Sequence, residues 1–213
     1  MSARFTLHGI WLSGPTYKVG LMLALAGEAF DYVHVDLLQG EHKALPFAAR
    51  QRYGQVPLLV DNAAGRHLCQ SAAILEYLAD TLGRLGGATL DERLHAREWL
   101  YWDFDRLAPA IYRTRGIRRG FRKASDEVLD MYQGEAKAAL AVLDGHLAGR
   151  SWTVGEGPTI ADVDLYGTVA YAAEGGNDLE PYANVRAWLS RMETLPGFRG
   201  TGDLLPRETR AAA

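Results

Sequence analysis

The chain has 213 residues, 48% apolar and 23% charged, with a formal net charge of −3. That length suits two modest cores or one large one, and the slightly acidic balance gives no general attraction to phosphate backbones or anionic bilayers, so neither a nucleic-acid nor a membrane partner is expected. No run of about 18 apolar residues occurs and no secretory signal is visible at the start; with a lone cysteine, Cys69, which excludes an internal disulfide and a thiolate metal cage, a cytoplasmic setting without a bound metal is expected.

Residues 4–11 mix β-branched and aromatic types before a Ser-Gly-Pro breaker and read as a strand ending in a turn. Val19, Met22, Leu23, Leu25 and Ala26 carry the helical period and Gly27 stops it, giving a short helix over 16–26. Residues 30–37 alternate as a second strand, which makes a parallel crossover unit. A weak helix to about residue 50 leads to a strand over 56–61, a turn at Asp61-Asn62 and a short partner strand at 67–69, the pattern of a hairpin. Ser71 opens a helix with Ile74, Tyr77, Leu78 and Leu82 on one face. Beyond a glycine-rich connector no strand-like alternation returns, and 90–112, 125–147, 159–173 and 182–195 read as helices. The expected organisation is an α/β domain over 1–82, a linker over 83–89, an all-helical domain over 90–206 and a small polar tail, 207–213, free to fray.

Four local features carry chemistry. Pro57 lies in a strand-like run that cannot use a residue without an N–H, so either the strand is an edge or Val56-Pro57 is a cis bond that frees the Val56 backbone to pair with an extended peptide. Gln70-Ser71 stands at a helix N-terminus, which favours a carboxylate, although a serine there also serves as a plain cap. Ser13 lies between the first strand and first helix, where it is either a cap or a hydroxyl projecting over the end of the sheet. Thr159-x-x-Asp162 matches a capping box and reads as folding hardware. The basic cluster from Arg113 to Lys123 reads as a solvated turn compensated by acidic residues elsewhere, and Cys69 as a buried small hydrophobe.

Together, Ser13-x-Pro15-x-x-x-Val19, Gly40-Glu41-His42-Lys43, Gly54-Gln55-Val56-Pro57, Gln70-Ser71-Ala72-Ala73-Ile74 and Pro158-Thr159-Ile160-Ala161-Asp162 resemble the glutathione transferase family, in that family's order. The resemblance implies a thioredoxin-like first domain with a mixed four-stranded sheet, a C-terminal helical bundle, a detoxifying homodimer, and glutathione as co-substrate. It implies that Val56 at a cis-Pro57 turn pairs with the cysteinyl backbone, that Gln70 and Ser71 hold the γ-glutamyl end, and that His42, Lys43 and Gln55 face the glycyl carboxylate. The sequence departs from the pattern in two places. Gln51-Arg52 replaces the usual Asn-Pro before the turn, leaving its entry less defined, and Gln70 replaces a common Glu, removing a charge.

The activating residue varies within the family, and Ser13, Thr16 and Tyr17 lie close together; Ser13 is the choice. A hydrogen bond donated to a charged group is worth about 1.5–3 kcal/mol, enough to bring a thiol of pKa about 8.5 down to about 7. The small hydrophobic electrophile is expected in an apolar pocket between the domains, with Trp11, Leu12, Phe104, Ile111 and Tyr112 as wall candidates. The same sequence also fits a glutathione-dependent dehalogenase or isomerase, or a non-catalytic binding module on the same fold.

Overall fold

The computed structural model of the chain describes residues 3–211. It forms two compact units, one running to Arg84 and taking back the chain from Pro196 onward, the other spanning Leu85–Leu195.

In the first unit β1 (Phe5–Gly9), α1 (Gly14–Ala26), β2 (Phe30–His34), α2 (Leu45–Ala48), β3 (Leu58–Asp61), β4 (Arg66–Cys69) and α3 (Ser71–Leu82) follow in chain order. The strands lie side by side as β2-β1-β3-β4, with β1 parallel to β2 and antiparallel to β3, and β3 antiparallel to β4. This is the mixed thioredoxin-like sheet that the resemblance implies. The parallel pair requires a crossover, which α1 supplies before Gly27, at φ 75°, ends it. The hairpin turns on Asp61, whose carboxylate accepts the N–H groups of Ala63 and Ala64, the Arg4 guanidinium at 3.0 Å and the Tyr77 hydroxyl at 2.8 Å. Burial alone would raise the Asp61 pKa; these donors outweigh it and hold the carboxyl below its ordinary value.

The chain from Pro196, expected in the helical domain as far as 206 and as a fraying tail over 207–213, is through residue 211 part of this unit instead; residues 212–213 lie outside the described residues. Tyr17 donates its hydroxyl to the Arg199 carbonyl at 2.8 Å, Leu204 and Leu205 are buried beside Gly20, and Tyr32 and Arg210 exchange two backbone hydrogen bonds of 2.7 and 2.8 Å. The reason is that β2 is an edge strand with unpaired backbone groups, and a backbone bridge makes no demand on side-chain type. Composition therefore could not reveal it.

The helical unit holds α4 (Leu90–Trp102), α5 (Ala108–Arg118), α6 (Asp126–Leu147), α7 (Ile160–Val169) and α8 (Ala183–Glu193). The single helix expected over 90–112 is interrupted by a wider π turn, Asp103–Leu107, in which the Ala108 N–H reaches the Asp103 carbonyl. Pro109 accounts for this: it has no N–H to give and its ring collides with the carbonyl four residues back, so the ladder widens by one residue. Every residue of α7 is buried. Its expected capping box is present, with Asp162 accepting the Thr159 N–H at 2.8 Å, and the same carboxylate also accepts Thr153 N–H and Trp188 Nε1–H, both at 2.9 Å. In the basic cluster Arg115 and Arg119 both bond Glu174, at 2.9 and 2.6 Å, which is the expected compensation. Among the described residues no helix is long and apolar enough to cross a membrane.

Candidate functional site

The sheet register brings the sequence motifs together. His8 pairs with Leu58, and Leu58 with Cys69, so the chain leaving β1, entering β3 and leaving β4 does so at one end of the sheet. Residues 10–13, 56–57 and 70–71 are the segments that emerge there. This convergence is a property of pairing, and no local pattern could supply it.

At the end of β1 the chain turns tightly, with the Ser13 N–H on the Ile10 carbonyl at 2.9 Å. Gly9 makes the turn possible, because a Cβ there would lie 2.2 Å from the Thr16 side chain. Ser13 is the N-cap of α1, its Oγ accepting the Thr16 N–H at 3.2 Å, with Pro15 in the first turn. Both readings of Ser13 are compatible, since capping uses a lone pair and leaves the hydroxyl hydrogen free to donate. Among the described residues it donates to nothing.

The other two hydroxyls are differently placed. Tyr17 is fully buried with its O–H on Arg199, and Thr16 is fully buried against Gly9, whereas Ser13 is half-buried. Of the three, Ser13 alone combines a free hydrogen with access.

Val56-Pro57 is cis. The edge-strand alternative fails because β3 lies between β1 and β4, and Pro57 precedes the strand rather than sitting in it. The expected strand over 56–61 accordingly starts at Leu58, and Val56 makes no backbone hydrogen bond with any described residue. Gln51, read as a departure that loosens this turn, fastens it: the side chain is buried, and its Oε1 accepts Tyr53 N–H at 2.8 Å and Gln55 N–H at 3.3 Å. A buried glutamine is a weak sequence signal, so this residue was legible only as an anomaly.

Gln70 has φ 69° and ψ 118°, a backbone conformation that favours glycine. Such strain, of order 1–3 kcal/mol, persists where the surroundings over-determine it and clusters at ligand clamps. Behind it the first-turn N–H groups of Ser71, Ala72 and Ala73 have no partner among the described residues, which leaves a positive helix end at the same end of the sheet. His42 lies half-buried in the turn Glu41–Lys43, and a Cβ on Gly54 would sit 3.7 Å from its carbonyl, so that turn adjoins the Gly54-Gln55-Val56 segment. Lys43 and Gln55 are exposed.

Two neighbours are electrostatically quiet. Burial, aided by the charges of Arg50 and His67, pushes His8 down to about 4, so it is neutral near pH 7. Cys69 is half-buried rather than buried, packing on Val35, Phe47 and Leu58, and burial pushes its thiol up, away from nucleophilic use.

The expected pocket residues fall in both units. Trp11 and Leu12 are the half-buried corner of the Ile10–Ser13 turn. In the helical unit Phe104 is 68% exposed in the π turn, and Tyr112 donates its hydroxyl to the Gly167 carbonyl at 2.8 Å. Ile111 is fully buried, a core position rather than a ligand wall, because α5 turns that face inward. A cavity of about 490 Å³ in the helical unit, bordered by Trp99, Trp102, Val142 and His146, involves none of these residues.

A family model for the glutathione S-transferase N-terminal domain matches residues 3–80, and one for the glutathione S-transferase C-terminal domain matches residues 126–191. The solved structure of a glutathione S-transferase from Pseudomonas fluorescens is 30% identical, with a TM-score of 0.88 over 94% of this chain and 100% of that one. The chain belongs to the glutathione S-transferase family. Within this family it is similar to a maleylacetoacetate isomerase from Rhizobium meliloti, 33% identical over 84% of this chain and 86% of the relative. It is also similar to the disulfide-bond oxidoreductase YfcG of Escherichia coli, 26% identical over 84% and 86%. These relatives carry the names of more than one chemistry, and membership of the family does not choose among them.

Proposed function

We propose that the protein binds glutathione at this end of the sheet and attacks small electrophiles with its thiolate. The observation that carries the reading is the convergence there of a free Ser13 hydroxyl, an unpaired Val56 backbone and an uncapped α3 N-terminus. Each answers one part of the tripeptide. Val56 offers an N–H and a C=O to the cysteinyl backbone, the N–H groups at Ser71 and beyond take the γ-glutamyl carboxylate, and His42, Lys43 and Gln55 face the glycyl end. The donor set fits the ligand without a metal.

In the reaction Ser13 donates its O–H to the sulfur, favouring the thiolate, while the thiol proton leaves to solvent. With an aryl halide the carbon–sulfur bond forms as the carbon–halogen bond breaks and halide departs. The test is conjugation of glutathione to chlorodinitrobenzene across a pH series. In Ser13→Ala we expect glutathione affinity within about threefold, a turnover loss of about 10–100-fold, and a half-maximal rate moved to higher pH. An unmoved pH profile refutes the serine assignment. No binding of glutathione by the wild type refutes the site.

A second reading is favoured by the similarity to a maleylacetoacetate isomerase. Here the same thiolate adds reversibly to an activated double bond, and parallel assay of maleylacetoacetate distinguishes the two. For assembly we propose a homodimer: Leu90, Leu94, Tyr101 and Phe104 are exposed at helical spacing along α4 and the turn after it, an apolar stripe that a second copy could cover. Sedimentation at micromolar concentration should give twice the 23.4 kDa chain mass.

A further inference from the structure

Several arginines are fixed by carboxylates: Arg4 by Asp61, Arg106 by Asp105, and Arg115 and Arg119 by Glu174. Arg207, like Arg52, Arg66 and Arg113, lies instead over an aromatic ring, and of these four it alone does so beside the Ile10–Ser13 turn. Its guanidinium carbon lies 4.5 Å from the centroid of the Trp11 ring, and no carboxylate pairs with it among the described residues. Trp11 is the corner of the turn that closes on Ser13, so this stacked pair stands two residues along the chain from the hydroxyl assigned to the sulfur.

The cation is also anchored from both sides. Before it, Leu204 and Leu205 are buried against Gly20; after it, Thr209 Oγ1 accepts the His34 N–H at 3.1 Å and Arg210 pairs with the Tyr32 backbone. A guanidinium over an indole keeps the N–H groups that do not face the ring, and these can take a carboxylate in two-pronged fashion. An exposed cation that needs no protein anion to stay in place can accept one from a ligand without breaking an existing pair.

We infer that the Trp11–Arg207 pair is a specificity subsite that selects electrophiles bearing a carboxylate next to a flat apolar group. The indole edge flanks the flat group and the guanidinium takes the acid. This rests on the proposed reaction at Ser13, whose neighbour the subsite is, and it concerns which electrophile is preferred rather than whether the thiolate forms.

The test compares kcat/KM for chlorodinitrobenzene with that for its acid, chlorodinitrobenzoate, in the wild type, Arg207→Leu and Arg207→Lys. Intrinsic reactivity cancels when the acid-to-neutral ratio is compared across variants. We expect that ratio to fall about tenfold in Arg207→Leu and to recover in part in Arg207→Lys, which keeps the charge but not the fork. A ratio unchanged in Arg207→Leu overturns the subsite. If the wild type turns over neither compound, the proposed reaction fails, and calorimetric affinities of the two S-aryl glutathione conjugates then decide the subsite separately. Loss of a preference for the acidic conjugate in Arg207→Leu upholds it; no preference in the wild type, or no conjugate binding, overturns it.

Discussion

Two helices of this molecule begin on the same chemistry and put it to different ends. Ser13 and Thr159 are both N-caps whose hydroxyl oxygen accepts a first-turn N–H, from Thr16 at 3.2 Å and from Ala161 at 3.3 Å. Thr159 is 3% exposed and its hydroxyl also donates to Asp162 at 3.2 Å, so its capacity is used in both directions. Ser13 is half-buried and donates to nothing described. A cap hydroxyl is available as a reagent only where its hydrogen is left over and a ligand can reach it; where both are absent, the same group is structure.

The strongest way to break this comparison is at Asp162. It is fully buried and collects hydrogen bonds from Thr159, Thr153 and Trp188, so Asp162→Ala strands several buried donors at once. We expect a loss of about 3–5 kcal/mol in urea unfolding, with the proposed glutathione site intact in whatever fraction remains folded. A loss below about 1 kcal/mol would mean that the box is not what holds α7.

The first unit has its own buried titrating group, which sharpens the contrast by pH. His8 is held down at about 4 in the fold, by burial first and by the Arg50 and His67 charges after it. Unfolded, the ring takes its proton near 6.5, so between those values the unfolded chain binds more protons. Stability is therefore full above about pH 6.5 and falls as pH drops toward 4, by about 3 kcal/mol in all. In His8→Gln that part of the slope should vanish from a pH series of denaturation midpoints; an unchanged slope would assign it elsewhere.

The smallest effect on stability is the most informative about Ser13. Aspartate caps a helix about as well as serine but has no hydrogen to donate when ionised, and it repels a thiolate. Ser13→Asp should unfold within about 0.5 kcal/mol of the wild type while turning over at least as poorly as Ser13→Ala. Wild-type turnover in Ser13→Asp would show that capping is all the residue does.

Much of the fold was legible because its signals are local. Gly27 after an apolar period, Asp61-Asn62 between two short strands, and Thr159-x-x-Asp162 ahead of an apolar run each act through neighbours in sequence. Pro57 was legible as an impossibility, and only strand order chose between its two explanations. What escaped was non-local or purely backbone: the return of the chain after Pro196 to the first unit, the widened turn ahead of Pro109, and the φ of Gln70. At the candidate site Ser13 was the choice among three neighbouring hydroxyls, on its place between strand and helix alone. Burial and the use of Tyr17 to hold Arg199 separated them, and neither is written in residues 13–17.

The backbone bridge between Tyr32 and Arg210 bears on how the protein keeps company. β2 ends the sheet on one side, and a bare strand there offers its row of amides to any passing strand. By laying Arg210 against Tyr32 the chain occupies the middle of that row itself, so shortening the polypeptide before this point would trade an internal seal for an adhesive margin, with turbidity on storage as its visible sign.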